Sequence, residues 1–452
     1  MKKSLLSATI ALALGAMSAQ TSAQSLIFTP NEDARFNWAS YEALKSTDLS
    51  GETVTVFGPW LGAEKTSFES VIAYFEEATG ADVKYAGSDS FEQQIVIDTQ
   101  AGSAPNISIF PQPGLAADLA SKGLLTPLDK STGDWVKDNY AAGQSWVDLA
   151  TFKNKQNEEN LYGVFYRADL KSLVWYSPEN FADAGYDIPE SMEQLKALTE
   201  EIVADGGTPW CIGLGSGAAT GWPATDWVED LLLRTQPASV YDQWVSNDIK
   251  FNDPRVVGAI EEFGWFIRND DNVDGGSRAV AATDFRDSPK GLFASPPKCY
   301  MHRQASFIPA FFPENTVLGL DADFFYFPSY ESKNLGNPVL GGGTMLSITN
   351  DSKGAQAFMD FIRTPIAHEI WMAQKSFLTA HKGVNIDLYS SESAKKQGEI
   401  LRYSTTFRFD GSDLMPGKIG AGSFWTGMVD YAGGKDAKAV ATDIQTNWDT
   451  LK

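Results

Sequence analysis

The sequence predicts an α/β protein of two large domains. Three observations carry that prediction: the chain length, the alternation of β-branched and helix-period segments, and the short connections between them. An N-terminal leader is set aside first. Lys2 and Lys3, the apolar run from Leu5 to Met17, and the small residues Thr21, Ser22 and Ala23 read as an export signal (residues 1–23) cleaved near Ala23. Its removal leaves 429 of 452 residues, above the roughly 250 to 300 at which a single core stops growing. No Cys near the cleavage point could accept a lipid, and no later stretch approaches the roughly 18 uninterrupted apolar residues of a membrane span. The mature chain is expected to be free in the periplasm and to act as a monomer.

The elements follow in order. Residues 53–57, Thr-Val-Thr-Val-Phe, have strand character and stop at Gly58-Pro59. Residues 64–79 place Phe68, Val71, Ile72 and Phe75 on one helical face, and Gly80 ends the helix. A strand at 82–85, a helix at 91–101, a strand at 107–110 and a helix at 114–122 complete two further βα units, and such short links imply a parallel sheet. Ligands of open α/β sheets lie beyond the carboxyl ends of the strands, where three loops carry Trp60, Asp89 and Gln112. Each also has a structural reading: Trp60 covering a core, Asp89 capping the helix near Phe91, Gln112 holding turn backbone.

The segment 162–176, YGVFYRADLKSLVWY, is long for a strand and carries Arg167, Asp169 and Lys171 in its middle, which suits a passage between domains. A helix at 190–204, a Gly-rich loop at 213–221 and a helix at 228–233 follow, with Trp222 and Trp227 flanking Asp226. Gly341, Gly342 and Gly343 break the chain before a strand at 344–348. Helices are predicted at 353–363, 366–375 and 437–448, and residues 420–431 hold Phe424-Trp425.

The net charge of −22 falls to −24 once Lys2 and Lys3 leave, and no basic run interrupts it. Nucleic acid and anionic membrane surfaces are therefore excluded as partners. Cys211 and Cys299 are expected to form one structural disulfide in an oxidising compartment, the alternative being two separate buried thiols. His302, His368 and His381 lack metal-ligand spacing, so neither a metal nor another cofactor is expected.

Near-matches to known motifs fail on context. Gly213 to Ala218 fits G-x-G-x-x-A but follows a short Pro-containing segment, and residues 270–275 resemble half an EF-hand whose twelfth position is Ala281. That stretch reads as a solvated acidic turn. Asp226, Glu229 and Asp230 would share a helix face, which keeps a secreted glycoside hydrolase as the rival reading, although such spacing is common on solvated helices. The 13 Trp, 15 Tyr and 27 Phe include many beside glycines or turns, and flat rings with polar edges suit sugars. Trp60, Trp175, Trp222, Trp227 and Trp425 are the candidates; most other aromatics are expected in the core.

The stretches VTVFGPW at 54–60, NISIFPQ at 106–112, LKSLVWY at 170–176, CYMHRQAS at 299–306, the triplet 341–343 and GSFW at 422–425 occur in an order that carries a resemblance. The chain resembles the solute-binding protein of an ABC sugar importer, in the maltose- and alpha-glucoside-binding branch. The resemblance implies a bilobed, type II periplasmic-binding-protein fold with two sheet-and-helix lobes joined by a multi-crossing hinge. Lobe 1 would comprise 52–166 and 343–398, lobe 2 would comprise 167–342 and 399–452, and the crossings would fall near 164–172, 340–344 and 395–401. It also implies a cleft lined by Trp60, Asp89, Gln112 and Asp169 on one side and Trp222, Asp226, Gln304 and Trp425 on the other, with Lys171 and Gly342 at the crossings. Arg303-Gln304 stands where those relatives carry a tryptophan, which favours a polar grip on a short sugar such as trehalose, sucrose or maltose. The implied partners are that sugar and an inner-membrane ABC permease, with no bond made or broken. A chemoreceptor ligand module would differ only in its membrane partner.

Overall fold

The computed structural model describes residues 26–374, 377–403 and 407–451; the export signal and Lys375 lie outside the described residues. Strands β1 (Thr53–Gly58), β2 (Asp82–Gly87) and β3 (Ile107–Phe110) pair in parallel in the order β2-β1-β3. The intervening helices are Gly62–Thr79, Phe91–Ala101 and Pro113–Ser121, each within two residues of its predicted bounds. A hairpin, β4 (Thr151–Lys153) with β5 (Glu159–Leu161), lies off this sheet.

The predicted crossing segment splits into β6 (Val164–Leu170) and β7 (Leu173–Tyr176), with Lys171 and Ser172 between them. Strand β7 is the centre of a second sheet, between β8 (Met301–Arg303) and β9 (Asp323–Tyr326). Strand β10 (Val339–Ile348) returns to the first sheet antiparallel to both β3 and β6, and β11 (Phe407–Phe409) joins β10 in parallel. The strands of the three predicted βα units are parallel as expected, and the antiparallel β6 and β10 make the whole sheet mixed. Strand β10 also begins five residues before the predicted start and runs through the glycine triplet. Glycine is needed there for close approach: a Cβ on Gly341 would stand 2.2 Å from the Phe407 ring, and one on Gly343 2.7 Å from the Arg167 carbonyl.

Two large cores result. One gathers Val54, Val56, Phe68, Ile107, Leu346 and Phe358, and also takes in Phe36, Trp38 and Tyr41 from ahead of β1. The other gathers Val174, Leu195, Trp227, Phe263, Met428 and Trp448. Burial on this scale, at about 25 cal/mol per Å² of apolar surface, holds each unit together. Strands β6 and β10 run between the units, and a third passage leads from Phe409 in the first core to Met415 in the second. Helix Glu392–Tyr403, which holds residues 395–401, packs Leu401 against both the first core and the cluster around Trp175 and Cys211.

Cys211 and Cys299 form the expected disulfide inside a smaller third cluster. Helix Trp222–Thr235 starts six residues before the predicted 228, since Pro223 is tolerated in a first turn. Its charged residues Asp226, Glu229, Asp230 and Arg234 are all buried, which overturns the solvated-face reading. Trp175 and Trp227 are likewise core residues, with the Trp175 indole N–H donating to the Gln304 carbonyl at 3.0 Å. In the acidic turn, Asp270 accepts from the Ser277 backbone N–H at 3.0 Å. Among the described residues no helix is long and apolar enough to cross a membrane.

Candidate functional site

A cavity of about 120 Å³ opens where the carboxyl ends of β1, β2 and β3 face helix Trp222–Thr235 and the segment 410–425. That is room for on the order of ten waters. Eight of the ten predicted ligand residues line it: Trp60, Asp89, Gln112, Asp169, Lys171, Trp222, Asp226 and Trp425. Two do not. The Gln304 side chain is buried and its Oε1 accepts from the Ala305 N–H at 2.8 Å, so that oxygen is held by its own turn. Gly342 lies behind Lys171, where a Cβ would stand 3.1 Å from the lysine Cε; its part is to make room for that stem.

The first unit contributes an aromatic and acidic wall. The loop after β1 seats Trp60 edge-on to Phe68 and Trp371, with centroids 4.8 and 4.9 Å away, so this ring is core on one side and cavity wall on the other. The Arg167 guanidinium lies 5.3 Å from the Trp60 centroid, donates to Glu64 at 2.6 Å and pairs with Asp169 at 3.4 Å. Gln112 donates to Glu92 at 3.1 Å, while its Oε1 meets no hydrogen-bond donor among the described residues.

The second unit contributes a charged floor. Lys171 Nζ donates to Asp226 Oδ1 at 2.8 Å and to Asp410 Oδ2, and sits 5.7 Å from the Trp222 centroid. Glu229 accepts the N–H groups of Gly411 and Ser412 at 3.0 and 2.9 Å, fixing the 410–413 turn against the helix. Trp222 is half-buried against Phe285 at 4.9 Å. The two sides touch: a Cβ on Gly217 would stand 2.1 Å from Asp89 Oδ2, so only glycine admits the carboxylate there. Glu64, Glu92, Ser216, Phe285, Phe307, Asp410 and Asp413 also line the cavity and were not singled out in the sequence. Arg167 inside an apolar strand was the available signal for Glu64, because a buried guanidinium needs an acid.

Burial sets the electrostatics. It pushes Glu92 up to about 7, against the hydrogen bonds that favour its carboxylate. Burial also raises Asp226, Glu229 and Asp413, and Asp410 adds to the rise in each. For Lys171, burial works downward, but Asp226 and Asp410 hold it well above the ordinary lysine value. Asp410 moves the other way: burial would raise it, and the Lys171 ammonium pulls it below the usual carboxylate range.

Glu92 supplies a testable pH dependence. Its folded value lies above the unfolded one, so the native state keeps a proton that the unfolded chain releases, and stability is lost as pH rises from about 4.5 through about 7. Glu92→Gln keeps the acceptor for Gln112 and removes that loss. Thermal melts should show the variant equal to wild type below about pH 4.5 and more stable above about pH 7, by up to about 3 kcal/mol. A difference that does not change with pH would refute this account.

Two α/β units meeting over a polar, aromatic-edged cleft define a bilobed binding protein, and solved structures share the architecture. The bacterial solute receptor AcbH superposes with a TM-score of 0.74 at 18% identity, covering 89% of this chain and 100% of its own. The raffinose complex of RafE gives 0.67 at 20% identity, covering 88% and 99%. The chain belongs to the bacterial extracellular solute-binding protein family, which matches residues 59–369. It is 64% identical to the alpha-glucosides-binding periplasmic protein AglE of Rhizobium meliloti (strain 1021), over 100% of both chains. The osmoprotective compounds-binding protein GgtB of Synechocystis sp. is 41% identical over 89% of this chain and 93% of its own. Both of these relatives are binding proteins.

Proposed function

We propose that this chain is the periplasmic substrate-binding subunit of an ABC importer and that its cleft takes short alpha-glucosides. One observation carries the reading. Trp60 Nε1, Trp425 Nε1, Gln112 Oε1 and Asp226 Oδ2 are buried, belong to cavity-lining residues and have no hydrogen-bond partner among the described residues. Two are donors and two are acceptors, so the complement is a ligand whose groups both accept and donate, as sugar hydroxyls do. Buried orphan groups of this kind cost about 1 to 3 kcal/mol each until paired. The 64% identity to AglE over the whole chain supports the alpha-glucoside class.

The sugar docks on one lobe and gains its remaining contacts only when the other closes over it, so binding shifts the population toward the closed form. The pivots are the passages along β6, along β10 and between Phe409 and Met415. A micromolar site needs roughly −8 kcal/mol, and a few hydrogen bonds to charged groups at about 1.5 to 3 kcal/mol each supply that scale. Export with cleavage near Ala23 brings the chain to the permease that receives the cargo.

A thermal-shift and calorimetry panel of trehalose, maltose, sucrose, glucose and raffinose tests the proposal. At least one glucoside should raise the melting temperature, without release of reducing sugar on prolonged incubation. Trp60 and Trp425 are too buried for clean alanine tests. The half-buried Trp222 serves instead: Trp222→Ala should weaken binding roughly tenfold, the equivalent of about 1.4 kcal/mol. If no sugar stabilises the protein, the proposal fails; if a glucoside is hydrolysed, the glycosidase takes its place.

A further inference from the structure

The cleft floor holds more acid than its single ammonium can neutralise. Carboxylate oxygens of Asp226, Glu229 and Asp410 lie within 4.8 Å of one another, and Asp413 is buried beside them. Lys171 is the one cation hydrogen-bonded to this group among the described residues: it donates to Asp226 and Asp410. Arg303 on β8 faces Asp226 but is claimed by Asp230 at 2.7 Å. From the other packed elements come Glu92, which adds to the repulsion at Asp413, and the Tyr241 phenol, which donates to the Phe409 carbonyl at 2.9 Å. Four carboxylates and one ammonium at such separations repel strongly in a buried site, so the cluster keeps a proton.

The oxygens differ in what they can do with it. Both oxygens of Glu229 accept backbone N–H groups, and Asp410 accepts from the Ser412 hydroxyl at 2.9 Å. Asp410 can share a proton with Glu229 and with Asp226, but Asp226 Oδ2 meets no N–H or O–H donor among the described residues, although the residue is 1% exposed and lines the cavity. We propose that ligand binding expels a proton from this cluster, with Asp226 the group that releases it and Lys171 the positioning residue that sets its charge. The proposal rests on the reading of the cleft as a sugar site. In the empty cleft Asp226 is neutral; a ligand hydroxyl donates to Oδ2, the carboxylate forms, and the proton passes to solvent while the ligand stays unchanged. Burial supports the starting state, pushing Asp226 up to about 8 with Lys171 pulling it back. The titration belongs to the coupled cluster, and the free oxygen gives it an outlet at Asp226.

Affinity should then improve with pH, by up to about tenfold per unit between about pH 6 and about pH 8. Calorimetry with maltose, or whichever panel sugar binds, in two buffers of different ionisation enthalpy reads the exchange directly. Wild type should release a proton near neutral pH and Asp226→Asn should release none. Lys171→Gln should move the pH profile upward, and Lys171→Arg should restore it. Sugar binding with equal heats in both buffers over that range overturns the proposal and leaves the sugar reading standing. A second measurement needs no ligand: infrared difference spectra, unliganded wild type minus Asp226→Asn, should show a protonated-carboxyl component that fades as pH rises, beyond whatever Glu92, Glu229 and Asp413 contribute to both proteins. Absence of that component at neutral pH refutes the proposal even if no sugar binds, and absence of any protonated-carboxyl band from wild type refutes it even if the Asn variant does not fold.

Discussion

Removing the Cys211–Cys299 bridge, by reductant or as Cys211→Ala with Cys299→Ala, is expected to lower the melting temperature of the second unit by about 10 °C. The two cysteines are 88 residues apart. Closing a loop that long removes chain entropy from the unfolded state worth about 4 to 5 kcal/mol, and a unit of this size loses about 2 to 4 °C per kcal/mol. The bridge also sits at a crowded junction. The Cys211 N–H donates to the Met301 carbonyl at 2.8 Å, and a Cβ on Gly291 would stand 2.3 Å from Cys299 Sγ. Scanning calorimetry with and without reductant should show the second unit's transition move while the first unit's stays in place. A shift of the first transition instead, or no shift at all, would show that the loop does not constrain the unfolded second unit.

The N-terminal βα units were legible because their signals are local. Alternating β-branched residues stop at Gly58, an apolar stripe stops at Gly80, and the rule that ligands lie beyond strand carboxyl ends then singles out Trp60, Asp89 and Gln112. The helix carrying Asp226 was not legible in the same way. Four charges within 14 residues read as a wet surface, yet each is matched from far along the chain: Asp226 by Lys171, Glu229 by the backbone N–H groups of Gly411 and Ser412, Asp230 by Arg303 and Arg234 by the Phe327 carbonyl. No periodicity encodes such pairings. The glycine triplet misled for a related reason. Glycine in a strand marks either a break or another group pressed close, and only the positions of Phe407 and the Arg167 carbonyl decide between them.

Arg234→Met, close in volume and without charge, is expected to destabilise the second unit by about 3 to 5 kcal/mol. Arg234 is fully buried and donates to the Asp230 carboxylate, to the Phe327 carbonyl at 2.6 Å and to the Pro328 carbonyl at 3.1 Å. Methionine would fill the space and leave those oxygens short of donors. The loss should not stay local. Asp230 also accepts from the Ser172 hydroxyl at 2.9 Å, and that hydroxyl in turn accepts from the Leu340 N–H at 2.8 Å, so the carboxylate ties the helix that carries Asp226 to both strand crossings. Denaturant titration of the second unit's transition should show a lower midpoint with an unchanged slope. Combining Asp230→Asn with Arg234→Met should cost less than the sum of the two single changes, because the second removes a charge the first has already stranded. Strict additivity, or a single-variant loss below about 1 kcal/mol, would mean that Arg303 alone satisfies Asp230 and that the crossings are held by backbone pairing without the help of this network.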